Sequence, residues 1–165
     1  AAVRRDEASR QRAEQLASLR ADVSETRVVG DVIRHARTMD QATAVLTILD
    51  VLASSSLSTT VTLTAGRGRG KSAALGLCLA AAIAHGYSNI FVTSPSPDNV
   101  RTLFEFVLKG LDALGYEEVA DWDLQRGTGE WKDTVVRINV FRGHRQTIQY
   151  IQPQDHAVLL SLIHI

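Results

Sequence analysis

Residues 65–72 of this sequence are Ala65-Gly66-Arg67-Gly68-Arg69-Gly70-Lys71-Ser72. They match the phosphate-loop pattern, except that an alanine stands in place of its first glycine. The three glycines allow positive φ angles and bring backbone N–H groups close to phosphate oxygens. In this pattern the lysine contacts the β- and γ-phosphates and the Ser72 hydroxyl ligates Mg²⁺. The stretch predicts a nucleoside-triphosphate site; the alternative is a glycine-rich turn that only joins a strand to a helix.

The segments around this loop alternate between strand and helix patterns. Residues 59–64 are a short β-branched run, residues 72–85 an Ala- and Leu-rich helix closed by Gly86, and residues 89–93 a second strand. Residues 94–98 supply a turn and an N-cap for a helix that ends before Gly115. This order predicts an α/β fold of the P-loop NTPase type, a parallel sheet with helices on both faces.

The segment after these elements predicts a β-hairpin near residues 134–151. Residues 122–131 are a polar connection, and two strand-like runs, 134–141 and 146–151, follow it. The hairpin tip carries a small basic cluster, Arg142, His144 and Arg145. RNA contact and ordinary surface charge are both open for this cluster.

The chain divides into three parts. Residues 1–57 form a helical lead-in, with a solvated helix at 4–20 and a packed helix that Asp40 would cap. Residues 58–156 form the P-loop domain. The chain opens at Ala1 and closes on the apolar run 157–165, which we expect to be a non-native tail. We therefore expect an incomplete piece of a larger protein, whose sheet lacks its later strands.

Composition excludes several classes of site. The formal net charge is zero, which argues against a large electrostatic footprint for nucleic acid. Cys78 is the only cysteine, so neither an internal disulfide nor a cysteine-based zinc cluster can form, and the five histidines lack metal-ligand spacing. No apolar stretch is long enough to cross a bilayer, and the start is not signal-like. We expect a soluble intracellular protein without a membrane partner.

Nucleotide hydrolysis needs an acidic residue at the end of a later apolar strand, in addition to the phosphate loop. The sequence after the loop offers no such acid. We therefore assign no catalytic residue and expect the chain to bind nucleotide better than it hydrolyses it. For Arg67 and Arg69, phosphate contact, ion pairing and solvent exposure all remain open.

Four separated blocks resemble one family. They are residues 62–76 around the phosphate loop, residues 86–99 (GYSNIFVTSPSPDN), residues 102–106 (TLFEF), and residues 137–142 (RINVFR) with 144–151 (HRQTIQYI). They resemble the eukaryotic, nucleolar branch of the RNA cytidine acetyltransferase family, which is related to bacterial tRNA(Met) cytidine acetyltransferases. An alanine at position 65 is normal for that family, whereas residues 157–165 do not look like it.

The resemblance implies an enzyme that couples a helicase-like ATP-binding module to an acetyltransferase domain. Such enzymes form N4-acetylcytidine in 18S rRNA and certain tRNAs, with acetyl-CoA as the donor and ATP and Mg²⁺ as cofactors. The positions that would contact ATP are Ala65 to Ser72 together with Ala73. The resemblance also implies a location in the nucleolus of the nucleus and leaves a homodimer open. Two other functions stay open, a stand-alone P-loop RNA helicase or translocase and a nucleotide-free interaction module.

Overall fold

A computed structural model describes residues 2–54, 60–66, 68 and 70–152. Within them, three helices precede the phosphate loop: α1 (Ala2–Asp22), α2 (Val29–Ile33) and α3 (Met39–Ala53). Two α-helices and four strands follow it, besides short 3₁₀ helices at Pro97–Val100 and Gly129–Trp131: α4 (Lys71–Ala84), β1 (Asn89–Thr93), α5 (Arg101–Ala113), β2 (Trp122–Arg126), β3 (Val135–Val140) and β4 (Gln146–Ile151). The helical lead-in, the helix after the loop, the strand at 89–93 and the hairpin are confirmed.

The sheet is mixed, so the prediction of a parallel sheet is wrong for the described strands. Their order is β1-β4-β3-β2; β1 and β4 are parallel, and the other two pairs are antiparallel. Short connections join β2 to β3 and β3 to β4, and a short connection can only join neighbouring strands antiparallel. The chain from β1 to β4 is long and contains α5, which permits the parallel pair.

Helices cover one face of this sheet. Ile138, Val140 and Ile148 point into a buried cluster with Phe104 of α5 and Ile83 of α4. The alternate positions form a mostly polar row on the opposite face, which also includes Phe91: Asn89, Arg137, Asn139, Thr147 and Gln149. In the part of the chain that the structure describes, no helix packs on this row, so the expected second helical layer is absent there. Alternation of apolar and polar residues along β3 is typical of a sheet with one solvated face.

The helices before the loop form a second core on α4. Leu16 of α1, Val32 of α2 and Val45 of α3 pack with Leu77 and Cys78 of α4. Burial raises the pKa of the Cys78 thiol to about 12, so this sulfur stays protonated and unreactive at neutral pH. Because α4 belongs to both cores, it connects the helical lead-in to the sheet.

Three local expectations were wrong. Residues 60–64, the described part of the predicted strand before the loop, form no strand, and Val61 and Leu63 remain 43% and 37% exposed. A β-branched run needs a hydrogen-bonded neighbour to become a strand, and no described strand pairs with this one. Residues 122–126 do form a strand, because Trp122 and Leu124 pair with Val140 and Ile138. The cap of α3 is Thr38, and Asp40 lies inside its first turn.

Candidate functional site

The phosphate loop ends in a sharp turn into α4. Gly70 is in the left-handed conformation with φ 77° and ψ 26°, and Gly68 has φ 78°. Gly66 does not take a positive φ, so one of the three glycine expectations was wrong. Ala65 does not either, and a side chain is therefore tolerated at this position. Two glycine conformations thus set the direction in which the helix begins.

The first turn of α4 has no side-chain cap. Gly70 is the N-cap residue, and its carbonyl accepts from the Ala74 N–H at 3.0 Å. A first turn without a cap leaves backbone N–H groups directed out of the helix end, where the helix dipole is positive. Such an end is suited to bind phosphate.

The Lys71 side chain folds back over the loop. Its Nζ donates to the carbonyl oxygens of Ala65 at 2.5 Å and Gly66 at 2.9 Å. No carboxylate of the described residues pairs with it. The ammonium group therefore sits beside the helix end, where it adds a full positive charge to the partial charge of the first turn.

A cavity of about 730 Å³ opens on this turn, and we call it the loop cavity. Its volume lies in the range of small-molecule sites. The beginning of α3, the loop and α5 all contribute to it. Its lining is Arg37, Thr38, Asp40, Gln41, Gly68, Gly70, Lys71, Ser72, Ala73, Thr102 and Phe106. The structure thus brings together Gly68, Gly70, Lys71, Ser72 and Ala73, whereas Arg67 and Arg69 lie outside the described residues.

Gln41 is a residue of this cavity that the sequence reasoning missed. Its backbone N–H donates to Thr38 Oγ1 at 3.2 Å, and its Oε1 accepts from the Arg37 N–H at 2.8 Å. These bonds direct its Nε2 toward the Gly70 carbonyl, at 3.5 Å. The signal was present, since a threonine followed three residues later by a glutamine matches the capping-box pattern. Gln41 links the beginning of α3 to the turn that starts α4.

The basic tip of the hairpin lies at the other end of α4. Gln146, next to Arg145, donates to the Ile83 carbonyl in the last turn of that helix at 2.8 Å. α4 has 14 residues, so this end lies roughly 20 Å from the phosphate loop at about 1.5 Å per residue. The structure therefore does not bring His144 and Arg145 to the loop, although both are exposed.

Arg142 of the tip is held by its own neighbours. Its guanidinium donates to Asp121 and to the Gly115 carbonyl, and it lies 4.2 Å from the centre of the Tyr116 ring. The hydrogen bond from Arg142, followed by that from the Glu117 N–H, lowers the pKa of Asp121. The hydrogen bond to Asp121 in turn raises the pKa of Arg142. Contact of this cluster with RNA stays a prediction.

The described residues contain no group of three His, Cys, Asp or Glu side chains placed to hold a metal ion. None of their helices combines the length and the apolar character that a membrane span requires.

Comparison with known proteins shows the family of this chain. Residues 62–163 match the family model described as RNA cytidine acetyltransferase NAT10/TcmA, helicase domain. Proteins named RNA cytidine acetyltransferase from Caenorhabditis elegans, Homo sapiens and Saccharomyces cerevisiae are 58%, 53% and 49% identical over 142, 146 and 146 residues. These matches cover 86–88% of this chain, which spans only 14% of the length of those relatives. The chain belongs to the RNA cytidine acetyltransferase family and lies in the part described as its helicase domain.

Proposed function

We propose that this chain is the ATP- and Mg²⁺-binding part of an RNA cytidine acetyltransferase. The observation that carries the proposal is the start of α4. Its uncapped first turn follows a left-handed Gly70, and the Lys71 ammonium lies beside it at the edge of the loop cavity. A helix end, a lysine and a glycine turn at one cavity are the parts that a phosphate site requires.

Each side chain of the site has a distinct role in this proposal. Lys71 exchanges its two carbonyl partners for β- and γ-phosphate oxygens, because an ammonium bonds more strongly to a charged acceptor. Ser72 provides a hydroxyl ligand for Mg²⁺, and the N–H groups of Gly70 and Ala73 face the same anion. Gln41 holds the turn from the α3 side. Bound ATP would supply a polyphosphate whose charge these groups neutralise.

The whole enzyme would use this module in RNA acetylation. The relatives' name supports an acyltransferase that acts on cytidine in RNA. From the family resemblance we propose 18S rRNA and tRNA as substrates, acetyl-CoA as donor, and the nucleolus as location. None of the described residues is assigned to acetyl transfer, so the role proposed for this chain is nucleotide binding.

Calorimetric titration of the chain with ATP and Mg²⁺ tests the nucleotide proposal. We expect saturable binding of ATP with Mg²⁺ and weaker binding of ATP when the metal is chelated. Adenosine, which lacks phosphates, is the matched control ligand and is expected to bind much more weakly. A folded sample that binds adenosine as tightly as ATP, or that binds neither, would refute a phosphate site.

Gly70→Ala is expected to weaken ATP binding about ten-fold. An L-residue in the left-handed conformation costs about 1–2 kcal/mol, and a Cβ at position 70 would lie 1.8 Å from the Gln41 Nε2. The turn and Gln41 must therefore both shift. Gly115→Ala is the control, since Gly115 has φ 73° and open space around its Cβ position. Both variants share the strain of the left-handed conformation, but only Gly70→Ala should lose ATP affinity in calorimetry; equal ATP affinities would contradict the role of the turn.

A further inference from the structure

A second cavity, of about 400 Å³, lies between α1 and the beginning of α3, and we call it the arginine pocket. Its lining is Ser9, Arg12, Ala13, Leu16, Arg20, Arg37, Thr38, Met39 and Asp40. The α1 members recur at spacings of three and four residues, so they share one face of that helix. Leu16 is buried and fixes this face against the rest of the protein. This fixed face of α1 forms one wall of the pocket.

The charges of the pocket are unbalanced. Arg12, Arg20 and Arg37 line it, and Asp40 is its one carboxylate. In the described part of the chain, none of the three guanidiniums forms an ion pair. The chain as a whole has a formal net charge of zero, so this concentration of positive charge is local. A cavity with such a lining attracts an anion.

Arg20 presents a donor that lacks an acceptor. Its Nη2 donates to the Ala36 carbonyl at 2.5 Å, which holds the guanidinium in place. Its Nε is buried and has no hydrogen-bond partner among the described residues. A buried N–H group without an acceptor is unfavourable, and structures rarely keep one without a reason. A shift of this side chain toward an anion in the pocket would give the Nε an acceptor.

The beginning of α3 adds to the positive charge around the pocket. Thr38 caps the helix, and Met39 and Asp40 of its first turn line the pocket. α3 has 15 residues, so the partial positive charge of its dipole acts at this end. The cavity, its three arginines and the helix end thus all favour the same kind of ligand.

We propose that the arginine pocket binds a phosphate group of an RNA backbone. Guanidinium groups match the geometry of phosphate oxygens. The pocket shares Arg37, Thr38 and Asp40 with the loop cavity, but no residue of the phosphate loop lines it. It is thus a separate site beside that of the nucleotide. The choice of RNA rests on the proposed function, in which the whole protein acts on RNA.

The test measures binding of a fluorescein-labelled oligouridine to this chain by anisotropy over a series of salt concentrations. Arg12→Gln removes one charge from the pocket, and Arg10→Gln removes the same charge from an exposed residue of α1 that does not line it. Arg12→Gln should weaken binding about five-fold at low salt, a modest effect because Arg12 is exposed. It should also make the slope of log affinity against log salt shallower by about 0.7, the value for one contact to a single strand. Arg10→Gln should change neither quantity.

Several outcomes would overturn the proposal. They are no binding of oligouridine by the unsubstituted chain, equal losses in both variants, and a loss of ATP affinity in Arg12→Gln as large as its loss of RNA affinity. Loss of inorganic phosphate binding in Arg12→Gln without any loss of RNA affinity would assign the pocket to small anions instead. The nucleotide proposal is tested separately by Lys71→Ala, which should lose affinity for ATP and keep its affinity for RNA. Circular dichroism melts of both arginine variants should coincide, which excludes unfolding as the cause.

Discussion

Lys71→Ala is expected to weaken the binding of ATP and Mg²⁺ about 100-fold, which corresponds to about 2.7 kcal/mol. Removal of one partner from a desolvated charge pair costs about 2–5 kcal/mol, and this estimate lies in the lower half of that range. The two carbonyl oxygens that Lys71 contacts are themselves exposed in part, so the folded chain should tolerate the change. Isothermal titration calorimetry gives the affinity directly.

Lys132→Ala is the matched control for this result. Lys132 is exposed and lies outside the loop cavity, so its removal changes the net charge equally but leaves the phosphate site intact. ATP affinity should be unchanged in that variant. If Lys71→Ala bound ATP as tightly as Lys132→Ala, the ammonium group would have no part in the site, and the phosphate loop would be a structural turn.

Gln146→Met is expected to lower the free energy of unfolding by about 2 kcal/mol, because it removes two hydrogen bonds worth about 1 kcal/mol each. Gln146 is 1% exposed, and its Nε2 donates to the carbonyl oxygens of Ile83 at 2.8 Å and Tyr87 at 2.9 Å. Methionine has a similar shape but no donor. In a chain of this size the loss corresponds to a fall in Tm of about 4–8 °C, which differential scanning calorimetry would show.

Gln125→Met is the comparison for that measurement. Gln125 is exposed on β2, and surface substitutions usually change stability by less than about 0.5 kcal/mol. A Tm for Gln146→Met that matched the Gln125→Met value would mean that the two carbonyl bonds contribute nothing. It would also remove the physical reason for a buried amide at the start of β4.

The sequence predicted those helices and strands whose pattern lies entirely within their own residues. α4 follows from its small apolar residues, α5 from its apolar spacing, and the hairpin from its two β-branched runs. The phosphate-loop geometry at Gly68, Gly70 and Lys71 was also predictable, since the motif specifies conformation residue by residue. The sequence offered the same kind of signal for Gln41, through its spacing from Thr38.

Features that depend on pairing between distant segments were not predictable in this way. β2 is a strand because Trp122 and Leu124 meet the partners that β3 presents, and its own sequence is polar. Residues 60–64 have strand propensity, but propensity does not supply a neighbour. The arginine pocket combines Arg12 and Arg20 with Arg37 of a later segment. Helical periodicity aligns the first two, but only packing of α1 beside α3 adds the third.

The parallel pair of β1 and β4 has a consequence for synthesis on the ribosome. Asn89 pairs with Thr147, 58 residues later, whereas β2, β3 and β4 join their neighbours through short turns. At about 5–20 residues per second, β1 leaves the ribosome roughly 3–12 s before β4. During that interval β1 lacks β4, the one strand that pairs with it among the described residues, and its unpaired edge can recruit other chains. The nascent protein therefore passes through a period in which a chaperone that covers β1 would raise the yield of folded molecules.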